Sequence, residues 1–155
     1  MKPASINEIK KALSDRSPAE ISEFCLRLAK FKKENKEMLS FILFEEDNVS
    51  DFVAAVKKET DEQFLKMNTS NVYFIKKSVR KILRTINKQI RFSMSKQVEA
   101  ELLIHYCNSF ITYSIPIEKS RQLFTLYQNQ LKRIEKSLSS LHPDLQYDMQ
   151  RQLIS

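Results

Sequence analysis

Residues 70–92 decide the fold of this chain, and they read SNVYFIKKSVRKILRTINKQIRF. When the segment is projected as a helix at about 100° per residue from Lys76, its aliphatic residues fall between about 240° and 340°. These residues are Val72, Ile75, Val79, Ile82, Leu83, Ile86 and Ile90. An apolar stripe of this width is typical of a helix that packs by one side against a helical core. The segment therefore predicts an amphipathic helix that ends at about Phe92.

The opposite side of the predicted helix is basic. Its Lys and Arg residues fall between about 0° and 140° on the same projection and extend over about 22 Å at 1.5 Å per residue. They form the basic face, which consists of Lys76, Lys77, Arg80, Lys81, Arg84, Lys88 and Arg91. Tyr73 lies on the same side and offers an aromatic ring for stacking. The segment has no acidic residue, so the basic face is a candidate site for anions.

The net charge of the protein comes from this one segment. Residues 1–69 hold 12 Lys/Arg and 13 Asp/Glu, and residues 93–155 hold 7 and 6, while the whole chain has a formal charge of +7. Like charges three or four residues apart oppose helix formation by about 0.2–0.5 kcal/mol a pair, or roughly 1.5–3.5 kcal/mol for seven such pairs. Burial of the aliphatic stripe is large enough to offset this cost, at about 1.5–3 kcal/mol for each fully buried side chain.

Three interpretations of the basic face stay open from sequence. It is a solvated surface that acidic residues at 45–47 and 59–62 neutralise from neighbouring helices, or it binds the phosphate backbone of a nucleic acid. The third interpretation is an anionic membrane or an acidic protein partner. A membrane is the less favoured of these, because the aliphatic stripe would have to leave the core and the chain has no tryptophan to anchor it.

The absence of glycine from all 155 residues excludes several chemistries. Walker-type phosphate loops, dinucleotide-binding turns and nucleophile elbows each require glycine. Tight hairpins also favour glycine, so the composition favours an all-α fold. We expect a single compact domain over residues 1–155, built as a bundle or short superhelical stack of six to eight helices, with the basic helix as a central element that exposes one face. A division into subdomains 1–67 and 70–155 is the alternative.

Capping residues predict where several of the other helices begin. Ser5 and Ser17 each open a capping box, and Pro18 suits a first helical position. The third helix, at about 36–46, is rich in apolar residues and is expected to be buried on most sides. Further helices are expected to end near Lys66 and to span about 96–113 and 117–140, with a short last helix that ends near Leu153.

Few residues indicate catalysis. Glu101 and His105 are four apart on one helix, where a carboxylate-oriented imidazole could act as a general base, although an ordinary intrahelical pair explains the spacing as well. Cys25 and Cys107 lie on apolar stripes and are expected to be buried thiols. His142 is expected near the carbonyl end of a helix. No spacing indicates a metal or cofactor, and no small-molecule ligand can be named.

The spacing of residues along the predicted helices also resembles that of a known family. The run from Ser78 through Leu102 to the helix at 120–141, together with the opening pattern from Ile6 to Ile21, resembles an uncharacterised all-helical bacterial domain family. Ser114-Ile115-Pro116 stands where that family has a glycine-containing turn. The resemblance implies a helical fold of unknown function and assigns no site residues.

Together these features predict a non-enzymatic helical interaction module, with a protein partner or homo-oligomer. Nucleic-acid binding through the basic face is the alternative function, and an enzyme that uses Glu101 and His105 is the third. A polar, charged N-terminus without an apolar signal region predicts a cytoplasmic location.

Overall fold

The computed structural model describes residues 1–154, and within them all regular structure is helical, without strands. This confirms the predicted all-α fold of six to eight helices. The α-helices in this part of the chain are α1 (Ile6–Ser14), α2 (Pro18–Phe31), α3 (Lys33–Ser40), α4 (Val49–Lys66), α5 (Val72–Ser93), α6 (Lys96–Thr112), α7 (Arg121–Leu138) and α8 (Pro143–Gln150). A π-helical turn spans Phe41–Glu45, and 3-10 turns span Glu46–Asn48 and Ile117–Lys119.

The chain divides into two compact units, one over residues 1–44 and one from Glu45 onward. The number of domains and the boundary predicted at 67–70 stay predictions.

In the first unit, α1 and α2 begin with the predicted capping boxes. The Ser5 hydroxyl accepts a hydrogen bond from the Glu8 amide at 3.2 Å, and the Ser5 amide donates to the Glu8 carboxylate at 2.8 Å. Ser17 and Glu20 repeat this exchange at 3.2 and 3.1 Å. The backbone amide of Ser17 is the largest cause of a lowered pKa at the Glu20 carboxyl. The starts of these helices are therefore decided by local hydrogen bonds, whose Ser and Glu residues can be recognised in the sequence.

In the second unit, α6 is the central helix. It packs against α4, α5 and α7. Its buried residues extend around roughly two thirds of the helix circumference at about 100° per residue, which is typical of a helix covered by several neighbours. They are Val98, Ala100, Leu102, Leu103, Ile104, Tyr106, Cys107, Ser109 and Phe110. The basic helix α5 packs by one side against α4 and α6 and exposes its other face, as expected, while α6 contacts more helices than α5 does.

Aromatic rings form much of the interior between these helices. Phe64 of α4 contacts Tyr106 and Phe110 of α6, with ring centroids 6.0 and 6.3 Å apart, and stacks on Tyr113 at 5.2 Å. Phe110 also contacts Tyr127 of α7 at 5.6 Å. These contacts hold α4 and α7 against α6 and give the unit its aromatic core.

Helix α5 packs against α4 and α6 through the predicted aliphatic stripe. Ile75, Val79, Ile82, Leu83, Ile86 and Ile90 are buried, and Val72 is half-buried. The Tyr106 hydroxyl of α6 donates to the Val79 carbonyl at 2.7 Å, which fixes α5 against the central helix. The helix begins at Val72, because the Asn71 side chain caps its start and accepts a hydrogen bond from the Phe74 amide at 3.0 Å.

Two local expectations are wrong. The third helix is shorter than predicted, and Met38, Ile42, Leu43 and Phe44 are exposed rather than buried. His142 caps the start of α8 instead of ending α7, since its Nδ1 atom accepts from the Asp144 amide at 3.2 Å. The region after the third helix is exposed because four consecutive apolar residues in a π turn point to different sides. One core cannot bury them all.

Candidate nucleic-acid interface

The basic face lies on the outer side of α5. Of its seven residues, Lys76 and Lys88 are half-buried, and the exposed ones are Lys77, Arg80, Lys81, Arg84 and Arg91. Their positions follow from the opposed stripes of the helix: because the aliphatic side faces α4 and α6, the cationic side faces outward. The structure therefore brings the predicted site residues together along one helix.

The acidic clusters do not neutralise this face. Among residues 1–154, no ion pair joins a carboxylate to Lys76, Lys77, Arg80, Lys81, Arg84 or Arg91. Asp61 pairs instead with His105 of α6, with 2.8 Å between Oδ1 and Nε2. Glu59 and Glu62 are exposed on α4, and residues 45–47 are exposed before it. Six cationic groups of the face, five of them exposed and Lys76 half-buried, consequently have no carboxylate partner in the described chain.

A surface groove of about 370 Å³ runs along the N-terminal half of the basic face. Its lining consists of Tyr73, Lys76, Lys77, Arg80 and Arg84. On the helical projection these residues lie within about 100° of each other, so the tyrosine ring stands among the four cations. Closely spaced Lys and Arg side chains around a concave surface form an environment that favours phosphate or carboxylate groups.

The backbone adds to the positive potential at this end of α5. The positive end of a helix dipole lies at its N-terminus, near Tyr73 and Lys76. The first turn of α5 carries no acidic side chain that would offset it. The groove therefore lies where the side-chain charges and the helix dipole have the same sign.

The charge of Arg80 also reaches the core behind the groove. Burial is the main cause that raises the pKa of the Tyr106 hydroxyl well above its ordinary value, and the neighbouring Cys107 raises it further. The Arg80 charge acts in the opposite direction on the same pKa.

The structure separates Glu101 from His105. The Glu101 carboxylate accepts from the Gln97 side chain at 3.3 Å, while the His105 ring pairs with Asp61 across the α4–α6 contact. The carbonyl of His105 accepts from the Ser109 hydroxyl at 2.8 Å. Within residues 1–154 no group of His, Cys, Asp and Glu is placed to hold a metal ion. The interpretation of the pair as a simple intrahelical contact is wrong, because the histidine joins two helices.

A second surface was missed at the sequence level. Between α2 and α3 lies a groove of about 660 Å³ that is lined by apolar side chains and three lysines. We call it the α2–α3 groove; the name floor denotes its apolar lining residues Leu26, Ala29, Leu39, Leu43 and Phe44, and the name rim denotes its lysines Lys30, Lys33 and Lys36. The available signal was the run Phe41-Ile42-Leu43-Phe44, which is too continuous for one buried helix side.

The two cysteines differ in their surroundings. Both are free thiols; Cys107 is buried as predicted, but Cys25 is only half-buried and lines a smaller groove beside α2. Burial raises the pKa of the Cys107 thiol to about 12, so the group stays protonated near neutral pH. Cys107 is therefore a packing residue.

Comparison of the chain with protein-family models, curated proteins and solved structures returns no match. The likeness to an uncharacterised bacterial helical family therefore stays a proposal. No helix among the described residues is both long enough and apolar enough to cross a membrane.

Proposed function

We propose that this protein is a binding module that recognises the phosphate backbone of a nucleic acid through the basic face of α5. The observation that supports the proposal is the lack of carboxylate partners for six residues of that face within the described chain. Internal neutralisation was the main competing interpretation, and it requires those partners.

The energetics of the face favour a polyanion. Repulsion within the cluster costs roughly 1.5–3.5 kcal/mol at low salt, and neighbouring phosphates relieve it. A protein that neutralises Z phosphates on duplex DNA shows a salt slope of about −0.9Z. For five to seven contacts, the logarithm of the association constant is expected to fall with a slope of about −4.5 to −6.3 against the logarithm of salt concentration.

The first prediction tests this face by charge reversal. Fluorescence anisotropy with labelled DNA and RNA oligonucleotides is measured over a NaCl series for the wild type and for a Lys77→Glu/Arg80→Glu/Arg84→Glu variant. We expect the variant to lose at least about 100-fold in affinity at low salt and to show a shallower salt slope.

A matched control carries the same change in net charge elsewhere. Lys119→Glu/Lys132→Glu/Lys136→Glu alters three exposed lysines, one before α7 and two on it, none of which belongs to the basic face. It is expected to keep most of the affinity. Absence of binding to either nucleic acid in 20–50 mM salt, or equal losses in both variants, contradicts the proposal.

A second candidate function is protein binding at the α2–α3 groove. Leu43 and Phe44 are 60% and 77% exposed there, and across α1, α2 and α3, all within the described residues, no side chain is buried. Contiguous apolar surface of this kind marks interaction sites. Within residues 1–154, the rim lysines Lys30, Lys33 and Lys36 have no ion pair with a carboxylate.

The chemistry of the groove favours an amphipathic helix whose apolar face is flanked by acidic residues. The apolar floor suits leucine or phenylalanine anchors, and the lysine rim suits carboxylates. The exposed amphipathic α1 of a second copy fits less well, because its Lys10 and Lys11 would meet the lysine rim with charge of the same sign. A partner protein is therefore proposed over self-association.

The second prediction tests this groove with peptides. A panel of 18-residue helical peptides carries Leu or Phe on one face with Glu on both flanks, and a parallel panel carries Lys instead of Glu. We expect only the acidic panel to bind, and Leu43→Asp to weaken binding at least 10-fold by calorimetry. The control Leu65→Asp changes another leucine that is 71% exposed, on α4.

Two results would contradict the proposal that a partner protein binds the α2–α3 groove. Failure of every acidic peptide at low salt is the first. The second is sedimentation of the wild type as a dimer that Leu43→Asp dissociates, because the groove would then hold a second copy.

A further inference from the structure

We infer that the basic face binds single-stranded rather than duplex nucleic acid, with an unpaired base stacked on Tyr73; this inference rests on the proposed function. It names the class of nucleic acid and gives the aromatic ring a role distinct from that of the cations.

Tyr73 is exposed where a base would need it. Its side chain is 64% exposed, although tyrosine rings with few polar contacts usually seek burial. Phe74 contacts the ring edge-on, with centroids 5.5 Å apart and planes at 73°. This contact restricts the orientation of the Tyr73 ring while the ring remains largely exposed.

The ring and the cations share one groove. Tyr73 lines the same groove of about 370 Å³ as Lys76, Lys77, Arg80 and Arg84. A base stacked on Tyr73 would hold its phosphates close to these side chains. Cationic grooves with an exposed aromatic ring are a common arrangement for single strands, in which stacking contributes about 1–3 kcal/mol for each base.

A duplex does not offer the same contact. The faces of paired bases are already covered by their stacked neighbours, so a ring that lies among phosphate-binding cations reaches no base face. Helices that read duplex DNA enter a major groove about 12 Å wide. Helix α5 is buried along one side from Ile75 to Ile90, so its cationic side and the exposed Tyr73 ring are what it offers to a nucleic acid.

The third prediction separates stacking from charge. Affinities for a 20-nucleotide single strand and for a 20-base-pair duplex are measured at matched salt for the wild type and for Tyr73→Leu. We expect the wild type to prefer the single strand, and Tyr73→Leu to lose about 5- to 100-fold in single-strand affinity, with little change for the duplex or in salt slope. The control Tyr147→Leu changes another exposed tyrosine, on α8.

A spectroscopic readout reports the contact directly. The chain has no tryptophan, so Tyr73→Trp introduces the only indole of the protein. Its fluorescence should be strongly quenched when the single strand is added, and circular dichroism should show that both Tyr73 variants keep the helical fold.

The outcomes distinguish this inference from the proposed function. If single strand and duplex bind equally and Tyr73→Leu changes neither, the inference is overturned while phosphate binding stands. If the Tyr73→Trp fluorescence is unchanged by a single strand that binds, the stacked base is also overturned. If neither nucleic acid binds at low salt, the proposed function itself fails.

Discussion

At the scale of single residues, burial controls the chemistry of the core side chains Tyr106 and Cys107. Both are fully buried on α6, and the Tyr106 hydroxyl donates to the Val79 carbonyl at 2.7 Å. Loss of solvation raises the pKa of Tyr106 well above its ordinary value and that of Cys107 to about 12, because the charged forms are unfavourable inside the protein. These pKa shifts connect the core to the stability of the protein at high pH.

The fourth prediction concerns alkaline pH. A raised pKa in the folded state contributes stability below the unfolded pKa, and this contribution is lost as pH rises toward the folded pKa. The ordinary thiol pKa is 9.0 and that of Cys107 is about 12, so stability should fall progressively from about pH 9 upward, with Tyr106 adding to the fall above about pH 10. Thermal unfolding between pH 7 and 11 measures this.

A Cys107→Ala variant tests the cause. It should show a lower melting temperature at neutral pH, because a cavity forms, but a shallower decline above pH 9. Cys25→Ala is the matched control for loss of a thiol from a half-buried position. A wild-type melting temperature that stays level from pH 8 to 10.5 would disprove the assignment of these groups as neutral and buried.

At the scale of elements, α5 is defined by its two ends as much as by its stripes. Asn71 caps the start, and Met94 ends the helix in the left-handed region at φ 51° and ψ 31°. The Met94 amide still donates to the Ile90 carbonyl at 3.2 Å. Left-handed ends of this kind usually carry glycine, since a side chain with a Cβ atom is strained there. The absence of glycine thus leaves a small, removable strain after the basic helix.

The fifth prediction follows from that strain. Met94→Gly should stabilise the protein by about 0.5–1 kcal/mol in urea unfolding, because the Met94 side chain is 86% exposed and contributes little packing. Met67→Gly is the matched control at the end of α4, where φ is −65° and ψ is 139°. Glycine there should destabilise by a similar amount through backbone entropy. Equal effects at both positions would contradict the strain at Met94.

At the scale of the whole molecule, charge and apolar surface are found in different units. The chain from Glu45 onward builds its core around α6 and carries the basic face on α5, while residues 1–44 carry the α2–α3 groove. The two surfaces use different chemistry, phosphate-binding cations in one and apolar anchors with a lysine rim in the other. We therefore expect nucleic acid and a helical partner to be recognised by separate residues.

Much of the fold followed from local signals, and the errors occurred where local signals were weak. Ser5, Ser17 and the aliphatic stripe of α5 were correctly interpreted, because capping and periodicity act within a few residues. The prediction for the third helix was wrong because the apolar composition of residues 38–44 indicated burial but did not indicate which side of the helix would be buried. His105 was misassigned because its partner, Asp61, is 44 positions away in sequence.

The sequence by itself determined that this protein is helical, where most helices begin, and that α5 has one apolar and one cationic side. Those properties depend on hydrogen bonds and side-chain spacing within single helices. Only the tertiary structure decided that α6 is the central helix and that the acidic residues at 45–47 and 59–62 leave most of the basic face without a charge partner. Ion pairing between helices depends on how they pack, and an ion pair requires two side chains to meet within about 4 Å.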